Sequence, residues 1–499
     1  MRSNFNSQNE DHSNNQQDHN FNGKGEHTMS TLTDVTLDLT AINFIEMKAP
    51  QLNFILPPLL IDLGNDLTGS GITSITSISL PNLPSITYSV EYGPSFNAFF
   101  SNPFLNYIFV GDNSGDVAIG GFGHSIFIGG TGDDTFYGFL DSAGTPANPA
   151  PAPSGNGFFV SKIMYGGDGN DTLVGLFGTL NTSYQSDNIV GTTFIQGNTL
   201  FGGNGNDHLY GEFINFINIT VGDPLHPFTG IMSNINGVTD INGVPHNGHY
   251  LDGGAGDDYI VGNAGNVIIN VSNVQAHDED FISNNTLIGG AGNDILIGSF
   301  DSYNQTYTND SGSNIHHYGN NHLDGGTGDD LLIGNIRTLS VTLTNSPNWN
   351  EEELFGSNVL IGGSGNDTLI GNAQTVTTSP GVTVVGGNNI LFGGTGNDTL
   401  TGGVLNNHAA NYTPGHNQFV YDGCLNNGQD TITDFNKALD ALVGQNGAKF
   451  SDGGHNTAGD LVVKVADAAC NTSTITLVGV HDNFSAILPD IHYVASPIV

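Results

Sequence analysis

The sequence predicts an all-β fold: a right-handed parallel β-solenoid, or β-roll, with long coils and β-rich caps at both ends. Three observations predict it. Gly fills 71 of 499 positions, beside abundant Asn, Thr and Ser, a composition suited to turns and strands rather than helices. One phrase, Gly-Gly-x-Gly-(Asn/Asp)-Asp-x-apolar-x-Gly, occurs eight times between residues 129 and 402. Short runs of alternating apolar and polar residues stand on either side of each copy, the period expected of strands. Self-similarity at a near-fixed spacing is the mark of stacked repeats.

From the N-terminus, residues 1–28 are polar, rich in Asn, Gln and His, and read as disordered. They lack the apolar core of a cleavable secretory signal, and Met29 is an alternative start. Residues 29–128 read as a β-rich N-terminal cap covering a solenoid end that would otherwise pair edge to edge. The run Ile72 to Leu80 alternates as a strand does. The run Phe54 to Ile61 is too short and Pro-broken to span a membrane. Gly111 to Ile128 contains degenerate turns, among them Gly120-Gly121-Phe122-Gly123-His124-Ser125, without the aspartate of the main phrase. The segment Gly144 to Pro153 reads as a surface loop with polyproline character.

The solenoid proper is placed at residues 129–403. Its copies begin at Gly129, Gly166, Gly202, Gly253, Gly289, Gly325, Gly362 and Gly393, spaced 37, 36, 51, 36, 36, 37 and 31 residues apart. The second glycines are Gly130, Gly167, Gly203, Gly254, Gly290, Gly326, Gly363 and Gly394. The third are Gly132, Gly169, Gly205, Gly256, Gly292, Gly328, Gly365 and Gly396. Glycine admits positive φ and lets carbonyl oxygens converge without a Cβ between them. The sixth position is always aspartate: Asp134, Asp171, Asp207, Asp258, Asp294, Asp330, Asp367 and Asp398. Stacked one coil apart, these carboxylates would repel one another without a cation. Calcium takes six to eight hard oxygens from carboxylates and carbonyls, so the glycines and aspartates are candidate Ca2+ ligands. Two places after each aspartate an apolar residue, such as Leu296, is expected to point inward.

These runs, for example Gly289-Gly290-Ala291-Gly292-Asn293-Asp294-Ile295-Leu296-Ile297, resemble the nine-residue repeat of RTX, or haemolysin-type calcium-binding, proteins. The resemblance implies a calcium-binding solenoid with ions shared between successive loops, hence at most seven sites among eight loops. Tandem arrays of that family place two copies in each turn. Here each coil carries one loop and a longer return path, and the excursion Gly211 to Leu251 is expected to interrupt one site. A Leu precedes most loops, with Asn two places before it: Asn198/Leu200, Asn285/Leu287, Asn321/Leu323, Asn358/Leu360 and Asn389/Leu391. His249 and Lys162 are expected to interrupt this column. Eight coils at strand spacing would stack to about 35–40 Å.

Residues 404–499 read as a C-terminal cap and type I secretion region. Phe419-Val420-Tyr421 and Gly428-Gln429-Asp430-Thr431-Ile432-Thr433-Asp434-Phe435 resemble the segment closing RTX arrays in serralysin-type proteases. Gly459 to Val463 and Ser473 to Val480 extend that resemblance as two antiparallel strands. It implies an uncleaved C-terminal export signal, and so the type I secretion machinery as a partner.

The net charge of −40 makes the chain a poor nucleic-acid binder, and metal binding should favour its compact state. No transmembrane segment is read. The sequence has neither a His-Glu-x-x-His helix nor a Gly-x-Ser-x-Gly elbow, so no enzyme chemistry is assigned. Cys424 and Cys470 provide no disulfide framework; one bridge between them and two free thiols are both open. His316, His317 and His322, and also His246 and His249, are close enough in sequence for either group to bind a transition metal, but without a third fixed ligand or Cys partners they read as solvated return-loop residues. The favoured function is a secreted, extracellular or cell-surface structural, matrix or adhesive component. Its partner would be another copy of the chain, a cell-surface glycan or a matrix. The alternatives are an ice- or crystal-binding face, built on Thr179, Asn215, Asn266, Ser302, Thr338 and Thr375 with a second column at Ser183, Asn270, Thr306, Thr342 and Ser379, or an exoenzyme or toxin of unrecognised chemistry.

Overall fold

Around the fifth loop the chain forms the strands Thr286–Ala291 and Ile295–Ile297. Alternation turns Leu287 and Leu296 inward, both fully buried, and leaves Thr286, Ile288 and Ile295 half-exposed outside. Stacking repeats this arrangement in register: Leu287 lies beside Leu251 and Leu323, and Leu296 beside Ile260 and Leu332. Burying each such side chain stabilises the fold by roughly 1.5–3 kcal/mol. Two mostly parallel sheets, each of fourteen described strands, face each other across the resulting apolar ladder. This computed structural model describes residues 106–499 with gaps, and short strands before them. The gaps are 113, 122–124, 144–149, 152–161, 186–196, 222–228, 234–237, 240–244, 247, 274–275, 281–283, 347, 467–471, 496 and 499.

Beyond the second strand each long coil adds a third, such as Phe300–Thr308, which joins a nine-stranded sheet. A return strand then joins a smaller sheet made of Ser311–His317, Asn348–Leu354, Val382–Val385 and Tyr412–Thr413. The third and fourth sheets enclose a second core, which includes Val267, Ile269, Val271, Tyr303, Leu339, Val341 and Val382. Towards the N-terminus the coil is shorter. Tyr88 aligns with Asn106 and Tyr107 with Ser125, eighteen residues apart, and these coils contribute to the first two sheets only. A long coil is therefore a two-sheet turn plus an insertion of similar length that builds the other two sheets.

The sheets do not stop at the edges of the eight copies. Tyr88–Tyr92 and Asn106–Val110 belong to the first sheet, and Ser95–Asn97 and Val117–Ile119 to the second. At the other end Gln418–Asp422 and Ala441–Gln445 extend the first sheet in parallel. The antiparallel pair expected in the C-terminal region is present as Leu461–Ala466 against Thr472–Leu477. Of the alternating run 72–80, Ser74–Ile75 and Ser77–Ser79 are strands. Residues 1–28 and 54–61 lie outside the described residues. No helix among the described residues is long and apolar enough to cross a membrane.

Two expectations are corrected. The excursion Gly211 to Leu251 leaves the two loops it separates stacked, because Thr199–Asn204 and Tyr250–Ala255 pair in full register across it and Asp207 donates its amide to Asp258 Oδ1 at 2.7 Å. Nor does His249 interrupt the Asn column, whereas Lys162, as expected, ends its run of acceptors. His249 Nδ1 accepts from the Asn198 amide at 2.9 Å, as an Asn Oδ1 does elsewhere, and its Nε2 lies 3.0 Å from Glu212 Oε1. Lys162 donates its own amide to Asn198 Oδ1 at 3.0 Å. Its fully buried ammonium donates to the Gly121 carbonyl at 2.7 Å, and burial lowers its pKa to about 7. Elsewhere in the column each Asn also closes its own coil, as Asn285 Nδ2 does on the Gly298 carbonyl at 2.7 Å. A His nitrogen serves as the acceptor of this column as well as an Asn oxygen does, whereas the Lys162 ammonium can only donate.

Candidate metal centre

Glycine shapes each loop in two ways. Gly290 and Gly292 have φ of +108° and +141°, where any other L-residue is strained. At Gly289 the constraint is space, since a Cβ would collide with Asp294 Oδ2 and the Gly325 carbonyl oxygen. The same pair of oxygens, one from the loop's own aspartate and one from the next coil, crowds Gly129, Gly166, Gly202, Gly325 and Gly362. The carbonyls of Gly254 and Gly256 in turn occupy the space that side chains at Gly290 and Gly292 would need. Oxygens of successive coils thus converge between them.

The aspartates use their two oxygens differently. Oδ1 accepts a backbone N–H from the preceding loop: Asp258 donates to Asp294 at 2.8 Å, and Asp294 to Asp330 at 2.7 Å. This ladder runs unbroken through all eight copies at 2.7–2.9 Å. Oδ2 of Asp134, Asp171, Asp207, Asp258, Asp294, Asp330, Asp367 and Asp398 is buried without a hydrogen-bond partner. An exposed ladder at the fifth loop position runs in the opposite sense; there Asn293 donates its amide to Asp257 Oδ1 at 2.7 Å.

A row of partnerless buried carboxylate oxygens is costly. Burial, reinforced at several positions by neighbouring carboxylates, pushes Asp171 and Asp258 up to about 8. It also pushes Asp134, Asp294 and Asp367 to about 7. Among the described residues no Lys or Arg forms an ion pair with these carboxylates. A hard divalent cation fits what remains: unpartnered anionic oxygens, convergent carbonyls and no room for a Cβ. When bound, calcium would supply the positive charge that the column lacks.

The column is longer than the eight copies. Asp116 donates its amide to Asp134 Oδ1 at 2.7 Å, and Asp398 donates to Asp430 Oδ1 at 2.9 Å. Both ends carry a signal in the sequence. Gly111-Asp112-Asn113-Ser114-Gly115-Asp116 keeps the first Gly and the sixth-position Asp, with Ala118 buried two places on. Gly428 and Asp430 likewise keep the fourth and sixth positions. The Gly-Gly pair is missing from both.

The histidine reading is also corrected. His317 and His322 are exposed, but His249 and His316 are buried, each beside a carboxylate. The side chain of His246 lies outside the described residues. Cys424 is exposed and unbridged, and Cys470 lies outside the described residues. On the outer face of the third sheet Thr179, Asn215, Asn266, Ser302, Thr338 and Thr375 stack in register, but Ile217 and Ile268 stand in the adjacent column.

Comparison with known families finds the RTX calcium-binding nonapeptide repeat (4 copies). It matches residues 110–138, 163–179, 195–213, 250–270, 282–302, 318–336, 355–375 and 385–406. No curated protein matches the chain significantly. The matched segments end at 406 and lend no support to a specifically serralysin-like C-terminal region. RTX calcium-binding nonapeptide repeats therefore run through much of this chain, from residue 110 to residue 406.

Proposed function

We propose that this is a secreted, non-enzymatic protein that folds on calcium outside the cell and serves as a surface-layer, matrix or adhesive component. The observation that carries the reading is the row of eight buried Oδ2 atoms without partners. In this reading Asp134, Asp171, Asp207, Asp258, Asp294, Asp330, Asp367 and Asp398 are the anionic ligands, and the loop glycine carbonyls supply neutral oxygens. Residues 29–128 and 404–499 cap the stack, and the calcium-loaded coils present rigid outer faces to another copy, a surface glycan or a matrix. Calcium titration of the purified chain should give several ions per molecule, and imaging with calcium should show assemblies that disperse in chelator. One ion or none would sink the calcium reading. Dispersed monomers in both conditions would leave calcium binding intact and remove self-assembly.

Export is proposed to run through the type I machinery, read from the C-terminal region. Deleting residues 417–499 should leave the protein inside the producing cell, as cell fractionation would show. Export of the truncated chain at the normal level would refute this.

A further inference from the structure

One layer of the second core is polar where its neighbours are apolar. Gln305, on the third sheet, lies between Ile269 and Val341 of the adjoining coils. On the fourth sheet Glu351 aligns with Val382, and Glu353 with Val384. Yet His316, Glu351 and Glu353 are fully buried here. Strand pairing sets Asn314 beside Glu351 and His316 beside Glu353. Donor atoms of the histidine and both glutamates all lie within 4.8 Å of one another, with His316 Nε2 2.9 Å from Glu351 Oε1. The Asn314 carboxamide stands 2.6 Å from His316 Nε2 and 3.2 Å from Glu351 Oε1.

An outer ring of bonds holds this cluster in place. Trp349 Nε1 donates to Glu351 Oε2 at 2.6 Å, and the Tyr318 hydroxyl donates to Glu353 Oε2 at 2.5 Å. Glu353 is thereby anchored by one oxygen, as carboxylates around metals commonly are, while Glu351 Oε1 also accepts from Asn314 Nδ2 at 3.2 Å and from the Tyr307 hydroxyl at 3.5 Å. Glu353 Oε1 and His316 Nδ1 are buried without hydrogen-bond partners. Stability alone does not account for the layer, since apolar replacement of buried ionic groups is often neutral or stabilising. The adjoining coils carry that apolar solution already.

We propose that His316, Glu351 and Glu353 bind one divalent transition-metal ion of the Zn2+ class, at a site separate from the calcium loops. Two carboxylates balance a charge of +2, and an imidazole nitrogen selects a borderline ion over calcium, which prefers an all-oxygen set. Because His316 and the glutamates belong to successive coils, the ion would pin two strands of the fourth sheet together.

The test uses the full chain, refolded from chelator in excess calcium with or without Zn2+ and then desalted. Elemental analysis should find one Zn2+ retained per chain. The double variant His316→Gln/Glu353→Gln should bind Zn2+ at least 100-fold more weakly while its calcium content is unchanged. Co2+ on the unaltered chain should show imidazole nitrogen in its coordination sphere by X-ray absorption and be displaced by Zn2+. This arm decides the matter should the variant fail to refold. Absence of retained Zn2+, equal retention by a folded variant, or Co2+ bound by oxygen alone would each overturn the assignment.

Discussion

In chelator at pH 8 the chain should expand and lose most of its β-structure, and excess calcium should restore both. The cause lies in the aspartate ladder and the overall charge of −40. At strand spacing, two adjacent carboxylates repel by about 3.5 kcal/mol at an effective dielectric constant of 20, and the ladder stacks such pairs from Asp116 to Asp430. Few cations are at hand, with Lys and Arg together numbering 8. Seven calcium ions would bring the net charge to about −26 and remove the repulsion where it is strongest. Stabilisation should then grow with calcium concentration as binding to the native state alone requires.

Acid should partly substitute for calcium. Burial raises the folded-state pKa of these carboxyls, to about 8 at Asp258 and about 7 at Asp294, from an ordinary 3.8. A raised carboxyl pKa favours the fold fully below the unfolded value, and the benefit is lost as pH rises through the folded value. In chelator, β-structure should therefore be greater near pH 5 than at pH 8. In calcium the trend should weaken or reverse, because protons compete for the same oxygens. Circular dichroism and small-angle scattering over both series would check this. Identical melting temperatures in chelator and in calcium would show that the loops are turn chemistry without metal.

The sequence made the loops and the inner core legible because both are local. Positions within one nine-residue stretch fix Gly290, Asp294 and Leu296, and a period of two fixes Leu287. What it concealed depends on partners 18 to 51 residues away. Asp116 and Asp430 join the ladder through neighbouring coils that keep the Gly-Gly pair, although their own turns have lost it. His249 fills an Asn position because an imidazole nitrogen can accept the same amide. The alternation Asn314-x-His316-x-Tyr318 and Trp349-x-Glu351-x-Glu353 was readable, but polar residues at period two are normally the outward set. Only closure of the fourth sheet over the third turns these polar residues inward.

Position in the stack should decide how much a single aspartate matters. Asp294 meets coils on both sides: its Oδ1 accepts from Asp258, and its Oδ2 lies beside the Gly325 carbonyl of the next loop. Asp398 accepts from Asp367 in the same way, but the coil after it has no Gly-Gly pair. An ion present at a hundred times its dissociation constant contributes about 2.7 kcal/mol. Asp294→Ala, which damages two gaps, should therefore cost roughly 5 kcal/mol, and Asp398→Ala about half as much. Asp294→Asn separates charge from hydrogen bonding, since its carboxamide oxygen can still accept from Asp258. It should recover only about 1 kcal/mol of the loss. Melting in a calcium series reads all three variants. Equal losses at the two positions, or losses unchanged by calcium concentration, would mean that the aspartates hold the coils through backbone hydrogen bonds alone.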